Sequence, residues 1–534
     1  MASKENKYYL VVALIFGAFV YIIFGGARTL NIFNINFLMS GDPAQHWIGW
    51  ETFRRSPILQ WPLGRNDAYG MDIGNTVVFT DSIPLIAIPL KYILYFYHQN
   101  IQYTGLWLML CFALISLTSY NFVQQKTNDK LYALLCTVFF TTSAVLIQRA
   151  IGHYALCAQW LLIYSITLQF SDSFSRKKWM SLILLSSLIH AYLMAMCLAI
   201  FFADLLNKTK RDRESIKSAA IYLIILFASL YVLMDAVGYF TIAIGSTYIS
   251  GFGFFHHNLL GFINPNDQVL STILPEMKKQ PGDYEGQAYA GAGLILMAII
   301  TIFSQFSYLK EKITSKNRRI ALALMVGLYL YSLSGNIAFG DRTIIDFNYP
   351  SFLHGITGAF RASGRFIWPV FYTLSLLIVV ANYKYKDKRL SYIILALCLS
   401  IQAYDKTDSA KWSAAHYIID ENPLQSETKN QINIAGKDCL VAFKPEDFNE
   451  EWLKFSYYAA MKNMKIGFGY FARFDREKYD RQKDLVSEEV LSGDMRENCI
   501  YVFKNEADAI SASNKSNGRF AISRLYNAWA LYSK

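Results

Sequence analysis

The chain has 534 residues, 54% hydrophobic and only 17% charged, against about 25% charged in a soluble domain. Several apolar runs of roughly 16 to 24 residues can cross a hydrocarbon core about 30 Å thick, which excludes an ordinary soluble protein. The net charge of +11 comes from Lys and Arg gathered in short loops, as the positive-inside bias requires. No basic groove motif accompanies that charge, so nucleic acid is not expected as a partner.

In chain order, Lys4 and Lys7 precede a first predicted span over 8–24. No small-residue cleavage site follows it, so it reads as an uncleaved span. Further basic loops lie at Lys126–Lys130, Arg176–Lys178, Lys208–Lys217, Lys310–Arg319 and Lys384–Arg389. Placing all of them in the cytoplasm pairs the segments 101–123, 131–148, 157–171, 179–190, 192–207, 217–235, 289–307, 320–336, 366–382 and 389–404 into out-and-back excursions. That makes about eleven spans, with the N-terminus cytoplasmic and the C-terminus outside. Residues 179–207 read as a hairpin turning near His190; a single long span is the alternative, and it reverses the parity.

The outer face then receives long segments, which suggests a working surface there. The first, 25–100, carries "SGDPAQHWIGWETFRRSP". Pro43 can open a helix with Asp42 as its N-cap, and His46 and Trp50 then share a face at spacing four. Arg54 and Arg55 fit lipid-phosphate anchors. Downstream, Asp72 and Asp81 bracket a β-rich stretch as turn residues or as walls of a polar pocket; carboxylates at these spacings do not define a metal site. "IPLIAIPLKYILYFYH" reads as interfacial or re-entrant.

The second outer segment sets Arg149 and His153 four residues apart at a span's outer end, where Arg149 either snorkels or binds an anion. The third, 238–289, offers His256 and His257 among aromatics, then "GDYEGQAYAGAG". Its Glu285 is a sugar-hydroxyl ligand or a loop acid, and its glycines permit close helix packing. The fourth, 336–365, ends in "FRASGRFIWP". Arg361 and Arg365 flank Gly364 there, and their planar guanidinium forks suit a phosphate at the membrane surface.

Residues 405–534 are polar and read as a small α/β domain. Strands are predicted in "INIAGKDCLVAF" and "NCIYVF", and an amphipathic helix in "FNEEWLKFSYYAAMKNM". Of seven cysteines, Cys111, Cys136, Cys157, Cys197 and Cys398 fall in apolar stretches and read as buried hydrophobes. Cys439 and Cys499 can form a disulfide if the domain is periplasmic.

An acidic residue after the first span, arginines at the outer face and a C-terminal outer domain together resemble the GT-C superfamily of integral-membrane glycosyltransferases. Asp42 carries that resemblance most specifically. "GDPAQHWIGWETFRRSP", "VFTDSIPLIAIPLK" and "FRASGR" look similar to a bacterial GT-C-like family that includes arabinofuranosyltransferases. The resemblance implies a polytopic α-helical catalytic domain over 1–404 in the bacterial inner membrane and a periplasmic domain over 405–534. It implies a sugar donor linked to polyprenyl phosphate and a glycan or protein acceptor. Asp42 would be the catalytic base. Arg365, Arg361 and Arg149 would hold the donor phosphate, and His46, Asp72, Asp81, His153 and Glu285 would orient sugar or acceptor. Asp42 lacks the adjacent second carboxylate of a tight metal site, so no metal or cofactor is assigned. No glycine-rich nucleotide loop is present. The competing class is a transporter or lipid-linked-sugar flippase, for which mid-span charges and matching halves are expected; neither is seen.

Overall fold

The computed structural model describes residues 4–212, 215–242, 251–315, 318–419, 422, 424 and 436–534. Parts of the predicted segments 208–217, 238–289, 310–319 and 432–443, namely 213–214, 243–250, 316–317 and 432–435, lie outside the described residues. The chain is mostly helical and closes with a sheet domain. It divides into two compact units. One comprises Met1–Asn31, Tyr103–Leu230 and Ile249–Ile418; the other comprises Ile32–Gln102, Tyr231–Tyr248 and Ile419–Lys534.

The first unit is built of apolar helices. Among the described residues, five helical segments are long and apolar enough to cross a membrane: Lys7–Gly25, Thr104–Thr127, Ala191–Thr209, Ile216–Val237 and Ser363–Asn382. Two bent pairs raise this to seven if each is one span: Lys130–Thr141 with Ala144–Ile151, and Ala292–Ser304 with Phe306–Thr314. Every one of the eleven predicted segments contains helix. The counts differ because helix Lys388–Asp405 carries Lys388, Arg389 and Asp405 within its 18 residues, and because Trp160–Gln169, Arg176–Ser187 and Arg319–Ser332 have only 10, 12 and 14 residues. At 1.5 Å per residue these short helices rise roughly 15 to 21 Å, short of a hydrocarbon core. The 179–207 segment is two helices, Arg176–Ser187 and Ala191–Asp212, packed against each other.

Glycine sets how closely these helices approach. Gly17 brings Lys4–Gly25 against Thr104–Thr127; a Cβ there would lie 2.3 Å from the Phe112 carbonyl oxygen. Gly293 does the same for Ala292–Ser304 against Lys388–Asp405, where a Cβ would meet the Cys398 oxygen at 2.1 Å. The small-residue run at 291–293 therefore packs as its composition suggests. Strands β1 (Asn336–Phe339) and β2 (Arg342–Asp346) form an antiparallel hairpin in this unit.

The second unit carries the sheet. Strands β3 (Cys439–Ala442), β4 (Lys465–Ile466), β5 (Cys499–Phe503), β6 (Phe520–Leu525) and β7 (Ala528–Ser533) lie in the order β4-β3-β5-β7-β6. The β4-β3-β5 side is parallel and the β5-β7-β6 side antiparallel. The central strands β3 and β5 are buried at every position, which is why both read as unbroken apolar runs rather than alternating ones. Cys439 and Cys499 are opposite one another across β3 and β5, Cα atoms 4.5 Å apart, and are disulfide-bonded. The predicted amphipathic helix is Trp452–Met461. It packs on helix Gly41–Arg54 of the first loop.

That loop is woven into the sheet's edge. Tyr69 pairs with Ile466 of β4: Gly70 N donates to the Ile466 oxygen at 2.8 Å, and Ile466 N to the Ala68 oxygen at 2.9 Å. An edge strand thus gains a partner and loses its open hydrogen-bonding row. The "IPLIAIPLKYILYFYH" segment contains only the ten-residue helix Pro84–Ile93, too short to span a bilayer.

Candidate functional site

Two clusters of functional side chains stand out, one in each unit. In the second unit, helix Gly41–Arg54 starts two residues earlier than its sequence suggests. Ser40 takes the N-cap position and Asp42 falls in the first turn. A carboxylate is favoured there by the positive end of the helix dipole. One turn on, His46 shares that face and is buried. Its Nε2 lies 3.7 Å from Asp81 Oδ2.

The approach of Asp81 is locally built. Asp81 and Ile83 both hold positive φ, at 51° and 52°, a conformation that costs about 1–3 kcal/mol for such residues and gathers at functional sites. Between them Ser82 Oγ donates to the His46 carbonyl oxygen at 3.0 Å and bonds Thr80 Oγ1 at 2.8 Å. Gly49 admits Thr80, whose Cβ would lie 2.4 Å from any Cβ at position 49. His46 Nε2 and Asp81 Oδ2 are ligand types a divalent cation accepts, but two such atoms alone do not define a metal site.

Burial holds the His46 imidazole neutral, its pKa pushed down to about 3. The unfolded chain takes up that proton near pH 6.5, so the folded state's advantage is complete above pH 6.5 and is lost as the pH falls toward 3. Stability should drop there with a limiting slope of about 1.4 kcal/mol per pH unit from this residue. Unfolding midpoints measured from pH 7 to pH 4 are expected to fall less steeply in His46→Gln than in the unaltered protein. Parallel slopes would refute this.

On the same helix, Glu51 is fully buried and accepts from Arg54 Nε and Nη2 at 2.7 and 2.8 Å, and from Arg55. Arg54 also donates to the Tyr97 and Gln99 carbonyl oxygens at 2.6 and 2.7 Å. Arg55 reaches the Ala460 oxygen. The lipid-anchor reading of Arg54 is corrected: it is buried at 2% exposure and clamps the end of its own loop. Asp72 is exposed on the turn Met71–Ile73, where its backbone N–H faces Gln482. Among the described residues it makes no hydrogen bond or ion pair with His46 or Asp81.

In the first unit the acid Glu285 is a hub. Arg365 grips it bidentately, Nε to Oε2 at 2.7 Å and Nη2 to Oε1 at 3.0 Å. Arg149 Nη1 adds a third contact at 3.1 Å, and His153 Nε2 lies 3.8 Å away. Burial raises the Glu285 pKa, but the two guanidiniums outweigh it and hold the carboxyl well below the usual range. Arg365 also covers the Tyr192 ring at 4.6 Å, and Arg149 lies 5.6 Å from the Trp368 ring centre.

Glycines bring these residues together from far apart in sequence. Gly286 follows Glu285, and Gly364 precedes Arg365. A Cβ on Gly364 would sit 2.8 Å from the Gly286 Cα. The turns Asp283–Gly286 and Ser363–Ile367 can therefore approach this closely only because neither position carries a side chain. Arg361 takes no part in the Glu285 contacts; it is partly exposed over the Phe255 ring at 5.8 Å. Tyr192 and Trp368 belong to the cluster but lie in apolar runs that carry no sequence signal of that role.

Residues 13–407 match the family model described as a domain of unknown function (DUF6311), and residues 433–533 match the one described as the DUF6311 C-terminal domain. No curated protein matches the sequence. Among solved structures, the apo oligosaccharyltransferase of Archaeoglobus fulgidus is similar over 98% of this chain and 70% of its own, at 11% identity and a TM-score of 0.43. The oligosaccharyltransferase AglB of the same organism, in complex with an inhibitory peptide and a dolichol-phosphate, is similar over the same shares at 11% identity and a TM-score of 0.42.

Proposed function

We propose, on the footing that the chain belongs to the DUF6311 family, that it is a membrane glycosyltransferase. It moves a sugar from a polyprenyl-phosphate donor to a glycan or protein hydroxyl on the periplasmic face of the bacterial inner membrane. The observation that carries this reading is the pair of buried guanidiniums, Arg149 and Arg365, converging on one carboxylate in a chain with at least five helices fit to span a membrane. Two cations against one anion leave a net positive centre, which suits the phosphate of a lipid-borne donor. The Cys439–Cys499 disulfide supports a C-terminal domain on the oxidising side of the membrane. An eleven-span topology with a cytoplasmic N-terminus fits that side.

In this reading Asp42 is the general base. It takes the proton of the acceptor hydroxyl as the oxygen bonds to the anomeric carbon. The bond from that carbon to the phosphate oxygen breaks, and its electron pair leaves with the lipid phosphate. The step inverts the anomeric centre through an oxocarbenium-like state. Arginine charge steadies the departing phosphate, and His46 and Asp81 orient the acceptor. The sequence resemblance points to D-arabinofuranose as the sugar.

The test is reconstitution of the purified protein in liposomes holding a sugar-labelled polyprenyl phosphate and envelope acceptor. Labelled acceptor and free polyprenyl phosphate should appear together. Passage of the intact labelled lipid to the opposite leaflet, with no cleavage, would replace the transferase reading with the flippase one.

A further inference from the structure

We infer that Arg149, and not Arg365, receives the donor phosphate, and that Arg365 serves to position Glu285. The inference rests on the phosphate reading above and divides the labour within that cluster.

The two arginines look alike in sequence but differ in what their donors meet. Arg365 commits one whole edge of its fork to Glu285, one N–H to each oxygen, at 2.7 and 3.0 Å. Its face lies on Tyr192. A bidentate pair of this kind is closed: both carboxylate oxygens and the guanidinium edge are matched. Arg149 is not closed. Nη1 meets Glu285 at 3.1 Å and Nη2 donates to the Tyr284 carbonyl oxygen at 2.8 Å. Its Nε–H has no acceptor among the described residues, although the side chain is only 3% exposed.

A second buried donor belongs to the same neighbourhood. The Trp368 indole N–H also lacks an acceptor, and the Arg149 guanidinium lies 5.6 Å from the centre of that ring. Buried polar hydrogens without partners are rare in folded proteins. Two of them beside a cation mark where an oxygen-rich anion is accepted. The charges agree. Glu285 neutralises Arg365 through the bidentate pair, so the remaining positive charge falls on Arg149. One charge matches a phosphodiester, the form the phosphate takes while the sugar is still attached.

The experiment measures binding to the purified full-length protein in detergent. One probe is a short-chain isoprenyl phosphate and the other is inorganic phosphate. The decisive variant is the charge-compensated double, Glu285→Gln with Arg365→Gln, which removes the closed pair together. It should lose less isoprenyl-phosphate binding than Arg149→Gln, which should weaken binding by more than about tenfold. Arg365→Lys keeps the charge without the bidentate fork and provides the same comparison if the double variant does not elute as a folded monodisperse species. It too should lose less binding than Arg149→Gln.

If Arg365→Lys and the double variant lose binding while Arg149→Gln retains it, the assignment is overturned and the phosphate reading survives. If the unaltered protein binds neither probe, the phosphate reading falls and the inference falls with it. Equal affinity for inorganic phosphate, lost in Arg149→Gln, would uphold Arg149 and point to a free-phosphate source instead of a lipid.

Discussion

Replacing Asp42 by Asn is expected to lower sugar transfer by about 10²- to 10⁴-fold, the usual contribution of a general base, while the protein still folds. Asn is close in size to Asp and similar in helix propensity. What it loses is the negative charge in the first turn, a stability effect of about 0.3–1 kcal/mol at an exposed terminus. The two outcomes are therefore well separated. A residue that only stabilises the helix start would leave transfer nearly intact, and a base would not. Asp42 is partly exposed and lies one turn before the buried His46, so a hydroxyl arriving from solvent meets the carboxylate before the imidazole. The same assay on Asp81→Asn separates base from orienting partner: transfer should fall less than with Asp42→Asn.

The second large effect is on stability. Glu51→Leu is expected to destabilise the second unit by about 3–5 kcal/mol, because removing one partner leaves a buried charge uncompensated. Glu51 is fully buried and holds two arginines. Arg54, at 2% exposure, is left with backbone carbonyls as its acceptors and no counter-charge from Glu51. Its donors to the Tyr97 and Gln99 carbonyls also fix the end of the first loop. The loss should therefore show as rapid proteolytic cutting within 55–102 as well as a lowered unfolding midpoint in detergent. Glu51→Gln, which keeps an acceptor oxygen but not the charge, should fall between. A midpoint for Glu51→Leu within error of the unaltered protein would mean that the arginines find other partners.

Much of this arrangement was legible in the sequence, and the gaps have physical causes. Helix positions followed from apolar run length, yet the number of spans did not, because a run of 10 to 14 helical residues is apolar whether it crosses a membrane or packs inside a bundle. The strands β3 and β5 were visible because burial on both faces demands continuous β-branched and aromatic residues. Their cysteines could be named as a pair only conditionally, since register across a parallel ladder is not written in spacing. The Glu51 clamp was visible in principle: Arg54 and Arg55 stand three and four residues after Glu51 on one helix, the spacing at which such pairs meet. The arginines' position beside a membrane span drew the lipid reading instead.

Glu285 was legible as a candidate but not as a hub. Its partners lie 80 and 136 residues away in the chain, and the contact depends on Gly286 and Gly364 meeting with no side chain between them. Nor could sequence reveal that the first loop and the C-terminal domain share one compact unit. Tyr69 and Ile466 pair across about three-quarters of the chain's length.

The central claim is that this protein transfers a sugar through Asp42. The most direct measurement is mass spectrometry of surface glycans and glycoproteins from three strains of the host: one with the intact gene, one with the gene deleted, and one with Asp42→Asn at equal protein level. The account predicts that the same sugar mass disappears in both altered strains, and that mass identifies the sugar class. If the deletion loses it and Asp42→Asn keeps it, the protein acts without this carboxylate and the transferase account fails.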